Sequence, residues 1–275
     1  MPEPAEPVRV AFFGLLGTWT HMAARQVFGN QASYLENATI AEVFATVRAG
    51  GASHGVAPIE NSTEGGVNQT LDELIEHDLS IQREVVLDIS QCLLAKSSEL
   101  SAITRVASHP QALAQCRRWL LEHLPNARQI VSSSTSSAAR EAASDVNSAA
   151  ISSPLAAELY GLEVVVKGIQ DHANNQTRFV VVADRDSAPT GADKTSLVFS
   201  TAHARGALLR VLTVFDRAGL NLTRIESRPA LGKRWEYVFL ADLEGHRLDS
   251  AVASALAELR SICSMVKVLG SYPRA

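Results

Sequence analysis

Asn175-Gln176-Thr177-Arg178-Phe179-Val180-Val181-Val182-Ala183 reads as a buried strand with a polar head. Unbroken apolar residues from Phe179 onward fit a strand covered on both faces, as in parallel sheets, and not one with an alternating wet face. Ordinary core does not begin with an amide, a hydroxyl and a guanidinium. Those groups call for a use beyond packing.

Upstream, apolar runs of strand length at 8–13, 54–59, 85–94, 105–107, 149–152, 164–166 and 179–183 alternate with helical patterns. The alternation predicts an α/β fold with a largely parallel sheet covered on both faces. The same length of chain also suffices for two smaller sheets with a cleft between them, a frequent place for a small ligand. Residues 184–193 are polar, contain Pro189 and Gly191 and lack periodicity, so they read as a linker to a second unit.

Several loops after strands carry more small polar residues than helix capping requires: Gly14-Leu15-Leu16-Gly17-Thr18-Trp19-Thr20, Glu60-Asn61-Ser62-Thr63-Glu64-Gly65-Gly66, Ser108-His109-Pro110-Gln111 and Ser132-Ser133-Ser134-Thr135-Ser136. One such residue caps a helix; several together suggest a ligand at the strand ends. Free backbone N–H groups at helix N-termini attract anions, so an acidic small molecule is the favoured ligand. Gly14-x-x-Gly17 lacks both dinucleotide-fold spacing and a P-loop lysine, which argues against a nicotinamide cofactor or ATP.

Composition narrows the classes further. The 275 residues are 46% hydrophobic and 20% charged, with a formal net charge of −4 and no basic run, which disfavours a nucleic-acid partner. No apolar stretch approaches a membrane span, and the Pro- and Glu-containing N-terminus does not resemble a signal peptide. Cys92, Cys116 and Cys263 are far apart among apolar neighbours, and the eight histidines show no zinc-ligand spacing. No metal, no membrane and a cytoplasmic location are the expectations.

Four motifs give the chain a family resemblance. Gly17-Thr18-Trp19-Thr20-His21-Met22-Ala23-Ala24, Pro58-Ile59-Glu60-Asn61-Ser62, Ser108-His109-Pro110-Gln111-Ala112-Leu113-Ala114-Gln115-Cys116 and Thr177-Arg178-Phe179 stand in the order and spacing of prephenate dehydratases. Residues 194–272 resemble the ACT regulatory domain that follows in that family, through Arg205-Gly206-Ala207-Leu208 and Glu226-Ser227-Arg228-Pro229. The resemblance implies a two-lobed, periplasmic-binding-protein-like catalytic domain over 8–184, with its second lobe at roughly 86–168, and a ferredoxin-like βαββαβ ACT domain. Only seven residues precede the first strand, so a monofunctional enzyme without a chorismate mutase segment is expected.

The implied reaction is decarboxylative dehydration of prephenate to phenylpyruvate in phenylalanine biosynthesis, with no cofactor. Arogenate as substrate, and a non-catalytic small-anion binding protein, are the alternatives. By resemblance Thr177 supplies an essential hydroxyl and Asn61, Ser108 and Gln115 surround the substrate; Glu60 joins the catalytic set on physical grounds, as a carboxyl that a partly apolar cleft can keep protonated. A threonine hydroxyl is a weak acid, so Thr177 suits hydrogen-bond donation; Glu60 is the first choice for a true proton source and His109 the second. Thr18, Thr20, Ser62, Thr63, Ser134 and Thr135 are expected to help bind substrate, with Arg178 as a carboxylate clamp and Phe179 as wall or core. The chain is expected to cross into the second lobe near 83–87 and return near 167–171.

In the second unit, strands at 195–201, 222–227, 237–243 and 266–269 and helices at 205–218 and 248–261 fit βαββαβ, with Leu208, Leu209, Leu212 and Phe215 on one helix face. Its exposed sheet edges predict a homodimer or homotetramer. Resemblance places L-phenylalanine, as effector, between Gly206, Ala207 and Leu208 of one copy and Asn221, Glu226, Ser227, Arg228 and Pro229 of another.

Overall fold

The computed structural model describes residues 7–172, 174–229 and 237–275. By contacts the chain divides into one unit of residues 1–70 and 85–179 and another of residues 71–84 and 180–275, a division that differs from the linear split at the linker.

The chain begins with β1 (Arg9–Phe13), α1 (Trp19–Phe28), β2 (Ser33–Asn37), α2 (Ile40–Arg48), β3 (His54–Asn61), β4 (Gly65–Gly66), α3 (Asn68–Glu76) and β5 (Ser80–Asp88). It continues through β6 (Cys92–Ala95), β7 (Arg105–Ser108), α4 (Pro110–Gln115), α5 (Arg117–His123), β8 (Arg128–Val131), α6 (Thr135–Ala142), β9 (Ser148–Ser152), α7 (Pro154–Tyr160) and β10 (Glu163–Lys167), then β11 (Gln176–Ala183). Two sheets result, one ordered β2-β1-β3-β11-β5 with β4 paired to β3, the other β10-β6-β9-β7-β8. The expected cleft-forming pair of sheets is therefore the one present. The single run expected at 85–94 is two strands. Ile89, Ser90 and Gln91 break it where the chain passes from the first sheet to the second, and the return lies between β10 and β11.

The sheets are less parallel than the alternation suggests, because β6 pairs antiparallel with both β9 and β10. Parallel pairing holds for β1 with β2 and β3 and for β7 with β8 and β9. Val10, Ala11 and Phe12 of β1, and Val180 and Val182 of β11, have no exposed surface, as continuous apolar strands require. Apolar clusters built around Leu93, Val106 and Ile151, and around Leu94, Ala138 and Ala150, cover the two faces of the second sheet.

The third sheet holds β12 (Asp193–Ser200), β13 (Leu222–Pro229), β14 (Tyr237–Glu244) and β15 (Met265–Pro273), with α8 (Ala207–Arg217) and α9 (Ser250–Ile262) between them in the chain. Its order β13-β14-β12-β15 with antiparallel neighbours is the ferredoxin-like arrangement. Val211, Val214 and Phe215 of α8 pack with Val252, Leu256 and Leu259 of α9 over Leu197 and Phe199. Leu209, expected on the buried face, is 67% exposed, because it lies about 100° around the helix from Leu208. Asp193, expected in the linker, is buried in β12 and accepts from Thr190 and Gly191.

Residues 71–84 belong to the same unit as this sheet. Asp72 of α3 pairs with the buried Arg228 of β13, and Lys194 Nζ donates to both oxygens of Glu84 at 2.8 and 2.9 Å. Lys267 Nζ donates to the carbonyls of Ile75 (2.9 Å) and His77 (2.6 Å), closing the C-terminal turn of α3. Gly270 lies so near the Ile81 backbone that a Cβ there would fall 2.2 Å from the Ile81 carbonyl oxygen. Among the described residues no helix is long and apolar enough to cross a membrane.

Candidate active site

A pocket of about 260 Å³ opens in the first unit, just below the roughly 300–1,000 Å³ of small-molecule sites. Three helix starts border it. Thr18 caps α1 by accepting the His21 N–H (3.3 Å), Ser134 caps α6 by accepting the Ser137 N–H (2.9 Å), and His109 caps α4 through Nδ1, which accepts the Gln111 N–H at 3.4 Å. A capping side chain satisfies only one of the first amides of a helix. Those of Trp19 and Thr20 in α1, and of Thr135 and Ser136 in α6, have no intrahelical acceptor and lie at the positive ends of two helices.

Strand alternation distributes the remaining groups. On β3 and β11, neighbouring residues point to opposite faces, so Asn61 meets Thr177 on one face while Glu60 meets Arg178 on the other. Asn61 Nδ2 donates to Thr177 Oγ1 at 2.8 Å; Arg178 and Glu60 form an ion pair at 3.2 Å. Asn61 and Thr177 border the pocket, and Glu60 and Arg178 do not. Glu60, expected as proton source, and Arg178, expected as carboxylate clamp, thus meet each other on the face opposite Asn61 and Thr177. Phe179, back on the Thr177 face but further along the strand, is core.

Thr18, Thr20, Ser134, Thr135 and Gln115 also border the pocket. Ser108 does not: it has no exposed surface, and its hydroxyl donates to the Ile151 carbonyl (2.6 Å), tying β7 to β9. Ser62 braces the segment before β11, donating to the Asn174 carbonyl and accepting from Gln176 N–H, and Thr63 lines a smaller recess beside Gln115. Amide side chains that border the pocket without being expected site members are Gln91, Gln111 and Asn175. Asn175 stood in the polar head of the strand, whereas Gln91 lies at a sheet crossing that no sequence period marks.

No Asp, Glu, Lys or Arg is among the described residues bordering the pocket; His109 is its titratable group. With Nδ1 accepting from Gln111, a neutral His109 carries its proton on Nε2. Behind α1, His21 Nδ1 accepts the Gly17 N–H (3.0 Å), and the ring stacks on Phe12 and meets Tyr34 edge-on. Burial, helped by the Arg25 charge, lowers the His21 pKa to about 4. Burial likewise pushes the Cys116 thiol up to about 12, which makes it inert near neutrality. Among the described residues no group of three His, Cys, Asp or Glu could hold a metal.

In the second unit, Ala207 and Leu208 line a recess of about 500 Å³ with Tyr237, Phe239 and Met265. Gly206, at φ +74, starts α8. Residues 226–229 do not border that recess: Glu226 pairs with Arg224, Ser227 and Pro229 are exposed, and Arg228 is held by Asp72. The exposed Asn221 accepts the Glu244 N–H through its carbonyl.

Two sheets around a donor-rich pocket with no Asp, Glu, Lys or Arg among its described residues, followed by a βαββαβ unit, define an α/β protein with a small-molecule site and an appended ferredoxin-like domain. The chain belongs to the prephenate dehydratase family, whose model matches residues 10–187, and the ACT domain model matches residues 195–261. A bifunctional chorismate mutase/prephenate dehydratase of Aquifex aeolicus is 45% identical over 98% of this chain and 74% of its own length. A crystal structure of prephenate dehydratase in complex with L-Phe from Arthrobacter aurescens is 42% identical, with a TM-score of 0.88 over 98% of this chain and 90% of that one. GqqA, described as a novel type of quorum quenching acylase, is 33% identical, with a TM-score of 0.87 over 97% of this chain and 98% of that one.

Proposed function

We propose that the pocket bordered by Thr177, Asn61 and the starts of α1 and α6 carries out the family's reaction, decarboxylative dehydration of prephenate to phenylpyruvate. The observation that carries this assignment is the Asn61 amide donating to Thr177 Oγ1, beside two helix N-termini and no fixed charge. Since Thr177 Oγ1 accepts from Asn61, its own proton is left to point at a ligand.

In the reaction, the electron pair of the bond to the ring carboxylate moves into the ring as carbon dioxide leaves. The bond to the ring hydroxyl breaks at the far carbon, and the departing oxygen takes up a proton to become water. Thr177 donates a hydrogen bond to that oxygen as charge develops on it. His109, which borders the same pocket, can donate a further hydrogen bond through Nε2–H, and the proton that turns the departing oxygen into water comes from solvent. The open amides of α1 and α6 hold the two carboxylates.

Arogenate differs by an ammonium in place of the keto group, and the pocket border offers no carboxylate to pair with it, which favours prephenate. An acylase reaction, as described for GqqA, would need a base to take the nucleophile's proton. The neighbour of Thr177 is an amide that donates to it and cannot serve as that base. Thr177→Val, which keeps shape and removes the hydroxyl, is expected to lower kcat for prephenate by roughly 10²–10³-fold with KM little changed. Phenylpyruvate formation by this variant at the parent rate would overturn the assignment.

L-phenylalanine is the effector in this reading, bound between Gly206, Ala207 and Leu208 of one copy and Glu226, Ser227, Arg228 and Pro229 of a second in a cytoplasmic homodimer or homotetramer. The L-Phe complex of the Arthrobacter relative supports the ligand. Titration calorimetry with L-phenylalanine tests it, and no binding at millimolar concentration would refute it.

A further inference from the structure

We infer that Gln91 and Asn175 are positioning residues, and that a directional string of side-chain amides decides which hydrogen-bonding groups the pocket presents. The string has a fixed end. Asn61 Oδ1 accepts the backbone N–H groups of Thr63 (2.9 Å) and Glu64 (3.2 Å), and two backbone donors identify that atom as the oxygen. Nδ2 then spends its two hydrogens on Asn175 Oδ1 (2.9 Å) and Thr177 Oγ1 (2.8 Å).

Each bond fixes the next. With its oxygen taken by Asn61, Asn175 has Nδ2 to give, and this donates to Gln115 Oε1 at 3.3 Å. Gln91 Nε2 donates to the same oxygen, also at 3.3 Å. Gln115 borders the pocket, and with Oε1 held by two donors it presents its NH2 group there. One end of the string therefore shows a hydroxyl proton at Thr177 and the other shows amide protons at Gln115. Both suit a ligand that carries only acceptors at those points, as a carboxylate does.

Gln91 Oε1 is the unmatched end: it is buried and finds no partner among the described residues, on a residue only 3% exposed. A buried unpaired acceptor costs on the order of 1–3 kcal/mol. Turning the Gln91 amide over would set its oxygen against the Gln115 oxygen, so Gln115 imposes the orientation. Gln91 lies just before β6 and Asn175 just before β11, at the two crossings between sheets. Asn61 comes from the first sheet and Gln115 from the helix after β7. The string thus joins both lobes, and in a low-dielectric interior such networks behave as units and not as separate contacts.

The inference rests on the dehydratase reading, and the test separates the two. Asn175→Asp keeps an acceptor for Asn61 but sets a carboxylate oxygen against Gln115 Oε1, so Gln115 turns its NH2 inward and shows oxygen to the pocket. The expected result is a rise of about tenfold in KM for prephenate with kcat reduced less than threefold. In a Gln115→Ala background the same substitution should add nothing to KM, since the group it reverses is gone. Gln91→Glu, the same reversal from the other donor, gives a second route if Asn175→Asp folds poorly by circular dichroism. Additive effects in the double variant, an unchanged KM, or a kcat loss without a KM rise would overturn the inference. Absence of phenylpyruvate from the parent chain would instead sink the dehydratase reading.

Discussion

Acid should weaken this protein through His21. In the folded chain its pKa is lowered to about 4 from the ordinary histidine value of about 6.5, by burial first and by Arg25 second. Above pH 6.5 the ring is neutral in folded and unfolded chains alike, and nothing is lost. As pH falls below 6.5, the unfolded chain binds a proton that the folded chain refuses, so stability drops; the loss levels out below about pH 4. Linkage gives about 2 kcal/mol lost at pH 5 and about 3 kcal/mol by pH 4 from this residue. His21→Asn places Oδ1 where Nδ1 accepts the Gly17 N–H and removes the titration. It also forfeits the contacts with Phe12 and Tyr34, so the variant should be less stable by about 2–4 kcal/mol at neutral pH. The decisive quantity is the gap between parent and variant in urea unfolding, expected to narrow by about 2 kcal/mol between pH 7.5 and pH 5. A gap that stays constant, or a His21 ring resonance that titrates near pH 6.5, would refute the argument.

Glu60→Gln should leave the shape of the kcat–pH profile unchanged, because Glu60 faces Arg178 and not the pocket; a lost acid limb in that profile would restore Glu60 as proton source. Asp72→Asn removes the charge held by Arg228 in the proposed effector segment, so the phenylalanine concentration for half-maximal effect should shift about tenfold or more, the size of one charge-assisted hydrogen bond. Inhibition or activation curves that superimpose on the parent's would count against that coupling. Gly270→Ala should abolish folding of the second unit or lower its midpoint sharply, since its Cβ would meet the Ile81 backbone, and a parent-like thermal transition would contradict the close approach.

Long, apolar or strongly periodic elements were legible in the sequence: β1, β11 and the alternation of the third sheet follow from residues that must be buried on both faces or on one. Strands β2 and β8 escaped because they are edge strands whose Ser33, Glu36, Arg128 and Gln129 break any apolar run. The break at Ile89-Ser90-Gln91 escaped because crossing between sheets requires no particular residue type. Motifs located Thr177, Asn61 and Gln115 but could not say which way adjacent residues face. Glu60 and Arg178 stand one residue from Asn61 and Thr177 in their motifs, and that one-residue step reverses the face. Gln91 carries no motif at all and is found only by following hydrogen bonds.

That no Lys or Arg stands among the described residues bordering the pocket has a consequence for rate as distinct from binding. The ring carboxylate of prephenate begins the reaction with a full negative charge and ends it as neutral carbon dioxide. A guanidinium or ammonium against that group would stabilise the starting state most and the transition state less, raising the barrier as it tightened the complex. Helix amides and side-chain amides grip a carboxylate more weakly, and their hold fades as the charge drains into the ring. A described lining without Lys or Arg, which looks poorly suited to a dianion, is therefore suited to letting one of its two charges go.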